Sequence, residues 1–238
     1  MSRLENKRYY DDFSARYEEQ RGKPYHRFLD ESEIAAARPY CEGKRVLEVG
    51  CGTGLVLEPL ARMASFSAGI DLSSGMLGKA RQRGLAVARA SATSLPFADR
   101  GFDCVVSFKV LAHVEHIRTA VAECARVVKP GGHMVLEFYN KGSLRRMVKG
   151  LKPRQKVAAK TTDDQVYTRY DSLADIRHYL PEGCTVEKVV GIRCLAPTYH
   201  FFNVPVLGRV TVALERMLQK TSFSRVGGFL VVVIRKDR

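Results

Sequence analysis

At 238 residues, 45% of them apolar, the chain is long enough to bury one core of ordinary size with a modest addition. No stretch approaches the about 18 apolar residues of a membrane span, and the polar start, Met1 to Arg8, does not resemble a signal peptide. A formal charge of +14 is high for a small-molecule enzyme and admits three partners: nucleic acid, an anionic membrane surface or an acidic substrate.

Residues 3–20 carry Tyr9, Tyr10, Phe13 and Tyr17 at the spacing of one helix face, and a second helix is expected over 27–40. Strands and helices then alternate: strand 44–49, helix 54–63, strand 66–71, helix 74–83, strands 85–90 and 102–107, helix 117–128 and strand 133–139. That alternation implies a parallel sheet with helices on both faces. Lys129-Pro130-Gly131-Gly132 supplies a basic last helical turn followed by breakers.

Beyond residue 140 the rhythm changes. Residues 141–160 hold eight Lys/Arg (Lys141, Arg145, Arg146, Lys149, Lys152, Arg154, Lys156, Lys160) and no acid. The stretch is either a solvated surface or a patch for RNA or an anionic bilayer. Tyr167-Thr168-Arg169-Tyr170 follows, then a helix near 172–180 and a strand near 184–193. An aromatic-rich insertion over 195–206 precedes a helix at 206–219 and a closing strand at 228–235. Six scattered cysteines show no C-x-x-C and no zinc spacing, so they read as reduced, mostly buried thiols of a cytoplasmic protein, with no metal expected.

The chemistry concentrates at Val46 to Gly54, where a buried strand runs into glycines at 50, 52 and 54. Such a turn lets a nucleotide-like ligand approach the backbone at the carboxyl end of the strand. Asp71 ends the next strand, where a carboxylate accepts from both ribose hydroxyls; the alternative is a helix cap, since Ser73 and Ser74 follow. A dinucleotide fingerprint needs G-x-G-x-x-G, whereas position 55 is Leu, and no Lys-Ser/Thr follows as in a P-loop.

Five segments in order, VLEVGCGTG at 46–54, GIDLSSGML at 69–77, SLPFADRGFDCVVS at 94–107, VLAHV at 110–114 and RVVKPGGHMVLEF at 126–138, resemble the class I S-adenosylmethionine (SAM) dependent methyltransferases, in the group that includes the ubiquinone/menaquinone-type enzymes. The resemblance implies an α/β, Rossmann-like doubly wound, mostly parallel seven-stranded sheet with an antiparallel last strand, N-terminal helices and a small lid insertion. It implies one domain over 1–238: a helical cap at 1–42, a cofactor-binding core at 43–139, and substrate-side elements with closing strands at 140–238. The cofactor would be SAM and the product S-adenosyl-L-homocysteine.

Carried over by residue, Glu48 with Gly50, Cys51, Gly52 and Gly54 would hold the methionine end, Asp71 the ribose, and Leu72 with Met76 the adenine. Ser91, with Ala92 and Thr93, stands where the family usually has an acid for the adenine amino group. Lys109, at the cofactor side, begins the passage from cofactor to substrate. His113 is a candidate base or substrate partner, against a structural helix-capping role; Tyr139 either orients the acceptor or packs. Tyr199, His200, Phe201 and Phe202 form either lid core or an apolar substrate wall. Three functions follow: methyl transfer to a small-molecule or lipid/quinone-like acceptor, methylation of tRNA or other RNA through 141–160, or a catalytically silent SAM-binding protein at a membrane surface. The first accounts for the most residues. The protein is expected in the cytoplasm, with room for peripheral membrane contact, and its oligomeric state is open.

Overall fold

A computed structural model describes residues 17–18, 21–143, 146, 156–158, 161–162, 167–195, 200–219 and 221–237. The elements fall close to the expected ones because period-3.6 and continuous apolar patterns alternate cleanly. Helix α1 (Pro24–Cys41) leads into β1 (Arg45–Val49), a short α2 (Leu57–Ala61), β2 (Phe66–Asp71), α3 (Ser74–Gln82) and β3 (Val87–Arg89). Strand β4 (Phe102–Ser107), α4 (Ile117–Val127) and β5 (Val128–Tyr139) complete the first part. After a separate two-stranded pair, Lys156–Ala158 with Thr161–Thr162, come α5 (Leu173–Tyr179), β6 (Cys184–Ile192), α6 (His200–Asn203), α7 (Pro205–Leu218) and β7 (Phe229–Lys236). Most of the 141–160 stretch and Tyr199 lie outside the described residues, as does most of the helix expected over 3–20.

The seven-stranded sheet has the order β3-β2-β1-β4-β5-β7-β6. Strands β1 to β5 pair in parallel, and β7 runs antiparallel between β5 and β6, from His133 opposite Arg235 to Tyr139 opposite Phe229. The central strands are buried on both faces, with Val46, Leu47, Val49, Val105 and Val106 almost fully enclosed, as a sheet covered by helices requires. One face packs against α4 and α5 (Val121, Cys124, Ile176); the other packs against α1 and α6 (Phe28, Leu29, Phe202).

Two local departures have simple causes. Helix α4 stops at Val127 and β5 begins at once; Lys129 to Gly132 then bulge out of the ladder, since Phe102 pairs with Val128 but Cys104 with His133. Pro130 has no N–H to donate and Gly131 sits at φ +76°, which suits a bulge. Helix α2 is shorter than expected because Gly50 to Val56 are spent on the turn.

The outer hairpin leaves no room at Gly191, where a Cβ would stand 1.6 Å from the Ser224 carbonyl oxygen. That neighbour is backbone and cannot swing aside. Gly191→Ala should therefore cost about 3 kcal/mol, the upper end for overpacking, and lower Tm by about 6–12 °C in a chain of this size. Thermal melting measures it; an unchanged Tm would mean that β6 slides away from the Ser222–Val226 turn without loss.

Candidate functional site

The turn after β1 is held from both sides. Gly50 N and Cys51 N donate to Ile70 O at 2.7 and 2.9 Å, and Gly54 N donates to Cys51 O at 2.8 Å. Gly50 sits at φ +79°, and a Cβ there would strike Val110 Cγ2 at 2.1 Å, so the turn must approach β4's outgoing loop with nothing in between. Asp71 Oδ2 accepts from Gly52 N at 2.9 Å and Oδ1 from Ser73 N at 2.8 Å. The cap of α3 is Ser73, whose Oγ accepts from Met76 N at 3.2 Å. Asp71 thus fastens the glycine turn to the start of α3.

These elements wall a cavity of about 510 Å³ at the carboxyl ends of β1, β2 and β4. Of the residues expected to hold a cofactor, Glu48, Gly50, Cys51, Gly52, Asp71, Leu72, Met76, Ser91, Ala92, Thr93 and Lys109 line it, and His113 lines it too. Ser91 Oγ is paired with Thr93 Oγ1 at 2.8 Å, so the third-strand loop presents hydroxyls where an acid was missing.

Two expected residues do not line it. At Gly54, φ +86°, a Cβ would meet Leu85 Cδ1 at 2.3 Å and Ala80 Cβ at 3.4 Å, so this glycine serves close packing of α3 and its following loop. Tyr139 lies among rings, its centroid 5.7 Å from His113, 5.8 Å from Tyr170 and 5.1 Å from Phe229. Of the aromatic insertion, Phe202 is core, stacked on Phe28 at 5.1 Å and tilted to Tyr25 at 5.3 Å, while Phe201 is exposed. Neither lines the cavity.

His113 has a definite tautomeric preference. Its Nδ1 lies 2.8 Å from Tyr167 O, and a carbonyl oxygen only accepts, so Nδ1 donates and Nε2 carries the basic lone pair. The turn is fixed by Arg169, which donates to Val114 O at 2.7 Å and Leu111 O at 2.9 Å while pairing with buried Asp171 at 2.8 Å. Arg169 N also donates to Ala112 O at 2.8 Å. Its role as the anchor of His113 was not legible in the sequence, where Tyr167 to Tyr170 carried no functional reading.

The floor of the cavity is electrostatic. Lys109, at φ +59°, places its ammonium 2.8 Å from both Asp30 and Glu33, and its backbone N donates to Glu137 Oε1 at 3.2 Å. Burial alone would lower the Lys109 pKa, but Glu33, Asp30 and Glu137 outweigh it and hold the ammonium above its ordinary value. Arg21 pairs with Asp30 and lies beneath Tyr17, 5.4 Å from the ring centroid; both residues line the cavity. His26 Nδ1, 3.4 Å from Arg21, is pushed down to about 4 by burial and by the Arg21 and Lys109 charges, so the ring is neutral near pH 7.

Four carboxyls (Asp30, Glu33, Glu48, Glu137) therefore share two cations (Arg21, Lys109). Burial pushes Glu48 and Glu137 well above the usual carboxylate range, with the Glu33 charge adding to both. Glu48 Oε2 and Arg21 Nε are buried with no hydrogen-bond partner among the described residues. The cluster was missed in the sequence, although it left a trace: Leu29, Glu33 and Ala37 lie on one buried stripe of α1, and a carboxylate there demands a partner.

A ligand with an ammonium, a carboxylate and a ribose suits this lining: a spare acceptor on Glu48, a spare donor on Arg21, and Asp71, with Asp30, Glu33 and Glu137 behind Lys109. Glu137 supplies a test of the cluster itself. Its folded pKa lies above the unfolded 4.5, so the fold keeps a proton the open chain releases, and stability falls as pH rises from there. Glu137→Gln keeps a neutral group that accepts from Lys109 N. It should raise stability by about 1–3 kcal/mol at about pH 8 and by nothing at about pH 4. Melting curves of both proteins across that range decide it; equal gains at both ends would refute the assignment.

Residues 47–136 match the family model described as a methyltransferase domain. A ubiquinone biosynthesis O-methyltransferase of Chelativorans sp. is 36% identical over 112 residues, 44% of this chain and 44% of that protein. The chain thus spans about half the length of the curated relatives it matches. A SAM-dependent methyltransferase of Thermotoga maritima superposes with a TM-score of 0.68 at 22% identity, covering 96% of this chain and 98% of that one. The N-methyltransferase NodS of Bradyrhizobium japonicum, solved with S-adenosyl-L-homocysteine, gives 0.59 at 19% identity over 91% and 89%. At those identities the superpositions speak for the fold, and the sequence match speaks for the core. Sequence match and superposition point the same way, and residues 47–136 of this chain belong to the class I SAM-dependent methyltransferases.

Proposed function

We propose that the whole protein is an enzyme that moves a methyl group from SAM to the hydroxyl of a small, quinone- or lipid-like acceptor. Residues 1–42 would act as a helical cap, 43–139 as the cofactor core and 140–238 as the acceptor side. The observation that carries this reading is the cavity's polarity: the unmet Glu48 Oε2 and Arg21 Nε at one side, and His113, with Nδ1 held by Tyr167 O, at the other. The resemblance of the core to ubiquinone O-methyltransferases supports a hydroxyl acceptor.

When bound, SAM supplies a methyl group already activated by a sulfonium. The protein's own work is then alignment, exclusion of water and removal of one proton. Asp71, which holds the glycine turn through Gly52 N, would accept from the ribose. Glu48 Oε2 would accept from the ammonium, and Arg21 Nε would donate to the carboxylate. Met76 and Leu72, with the hydroxyls of Ser91 and Thr93, would hold the adenine. His113 takes the acceptor's proton at Nε2, with Nδ1 anchored on Tyr167 O. Tyr139 acts behind His113 as a positioning ring.

Methyl-labelled SAM incubated with the protein and a cell extract should yield protein-dependent label in the organic phase. Label confined to the nuclease-sensitive fraction would transfer the function to RNA, and no label at all would remove the activity. Arg21→Met should weaken S-adenosyl-L-homocysteine binding by about 1.5–3 kcal/mol, the worth of a hydrogen bond to a charged group. Methylthioadenosine, which lacks the amino-acid carboxylate, should bind both proteins equally in calorimetry. Equal losses for both ligands would make Arg21 a structural partner of Asp30 alone.

A further inference from the structure

Helix α7 turns little apolar surface inward. It buries Gly208, Thr211 and Glu215, with Val212 half-buried on the core beside them. Glu215 is fully buried and accepts from Cys194 N at 2.6 Å and Leu195 N at 2.9 Å. The opposite pole, toward solvent, is apolar: Val206 is 76% exposed, Met217 57%, Val210 49%, with Ala213 between them. Leu207 and Leu214 widen the stripe, and Phe223, 55% exposed, extends it on the Ser222–Val226 turn packed beside α7. An ordinary surface helix shows the reverse pattern. A contiguous apolar surface of this kind marks a face that something covers.

Charge selects the occupant. Residues 195–228 contain four Lys/Arg (Arg209, Arg216, Lys220, Arg225) and one acid, Glu215, which is buried. Arg209 and Arg216 lie about two turns apart along one flank of the apolar stripe, with Arg216 tied to Glu31 of α1 at 2.9 Å. A second copy of the chain would bring this face, whose one acid within 195–228 is the buried Glu215, against itself in a protein already at +14. A bilayer with anionic headgroups satisfies both halves: apolar side chains enter the acyl boundary and Arg209, which has no acid beside it within 195–228, meets phosphates.

We propose that the outward face of α7 is a docking surface for an anionic lipid membrane. It lies in the plane of the interface and is distinct from the basic run at 141–160. The proposal stands independently of methyl transfer.

The test uses the full chain with vesicles of phosphatidylcholine alone or mixed with phosphatidylglycerol, at low salt. Wild-type protein should co-sediment with the mixed vesicles and not with the zwitterionic ones. The triple change V206S/V210S/M217S, confined to the solvent pole, should weaken binding at least about tenfold, and Arg209→Gln about fivefold. The chain has no tryptophan, so Met217→Trp gives a single reporter whose emission should shift to the blue on mixed vesicles. That readout serves even if the triple variant folds poorly. Absence of wild-type binding, an unshifted reporter, or binding that the folded triple variant retains would overturn the proposal. So would a wild-type dimer in light scattering that the triple variant converts to monomer.

Discussion

Everything at the carboxyl end of this sheet depends on where Lys109 puts its ammonium. Four carboxyls arrive there from three separated stretches of chain, Asp30 and Glu33 from α1, Glu48 from β1 and Glu137 from β5. Buried carboxylates without a cation are too costly to keep. Lys109 answers two of them directly and a third through its backbone N–H, and it reaches them only because its backbone sits at φ +59°. A β-branched residue at that position would lose both the charge and the conformation. The same contacts draw α1 over the cavity, so the helical cap is attached to the core by charge as well as by the packing of Phe28 on Phe202.

The cluster also explains a division of labour around the cavity. On the side of β2 the polar groups are satisfied internally: Asp71 is shared between Gly52 N and Ser73 N, and Ser91 is paired with Thr93. That geometry is fixed before any ligand arrives. On the side of α1, Glu48 Oε2 and Arg21 Nε are left without partners among the described residues. In the proposed function these two buried groups of opposite character would form a pair of subsites for a zwitterion, whose binding would restore the unmet bonds.

The core was legible in the sequence because its signals are local. Val46 to Gly54 combines a buried strand with glycines, and Phe66 to Asp71 ends in a carboxylate at the right distance; each reads within a dozen residues. What was not legible depends on contacts between distant stretches. Gly54 looks like Gly52 in sequence, yet one faces Leu85 and Ala80 and the other faces open space. Tyr139 ends a strand that points at the cavity, but Phe229 and Tyr170, both distant in sequence, enclose its ring. Arg21 falls between the helices expected over 3–20 and 27–40, and its importance comes from Asp30 nine residues on and from a cavity built by other elements.

Helix α7 carries the lesson further. A periodicity reading assigns its apolar residues to the core, because that is where a stripe of Val, Leu and Met belongs in most proteins. Here the inward positions were taken by Glu215, whose carboxylate is needed to cap two backbone N–H groups at the end of β6. Gly208 is also required inward, since a Cβ there would meet Phe202 O at 2.5 Å. With a carboxylate and a glycine committed to the interior, the helix has only one way to face, and its apolar side is turned outward. Hydrophobic burial within the chain would have favoured the opposite orientation. A lipid surface against that side, as proposed above, would offset the cost of the exposed face.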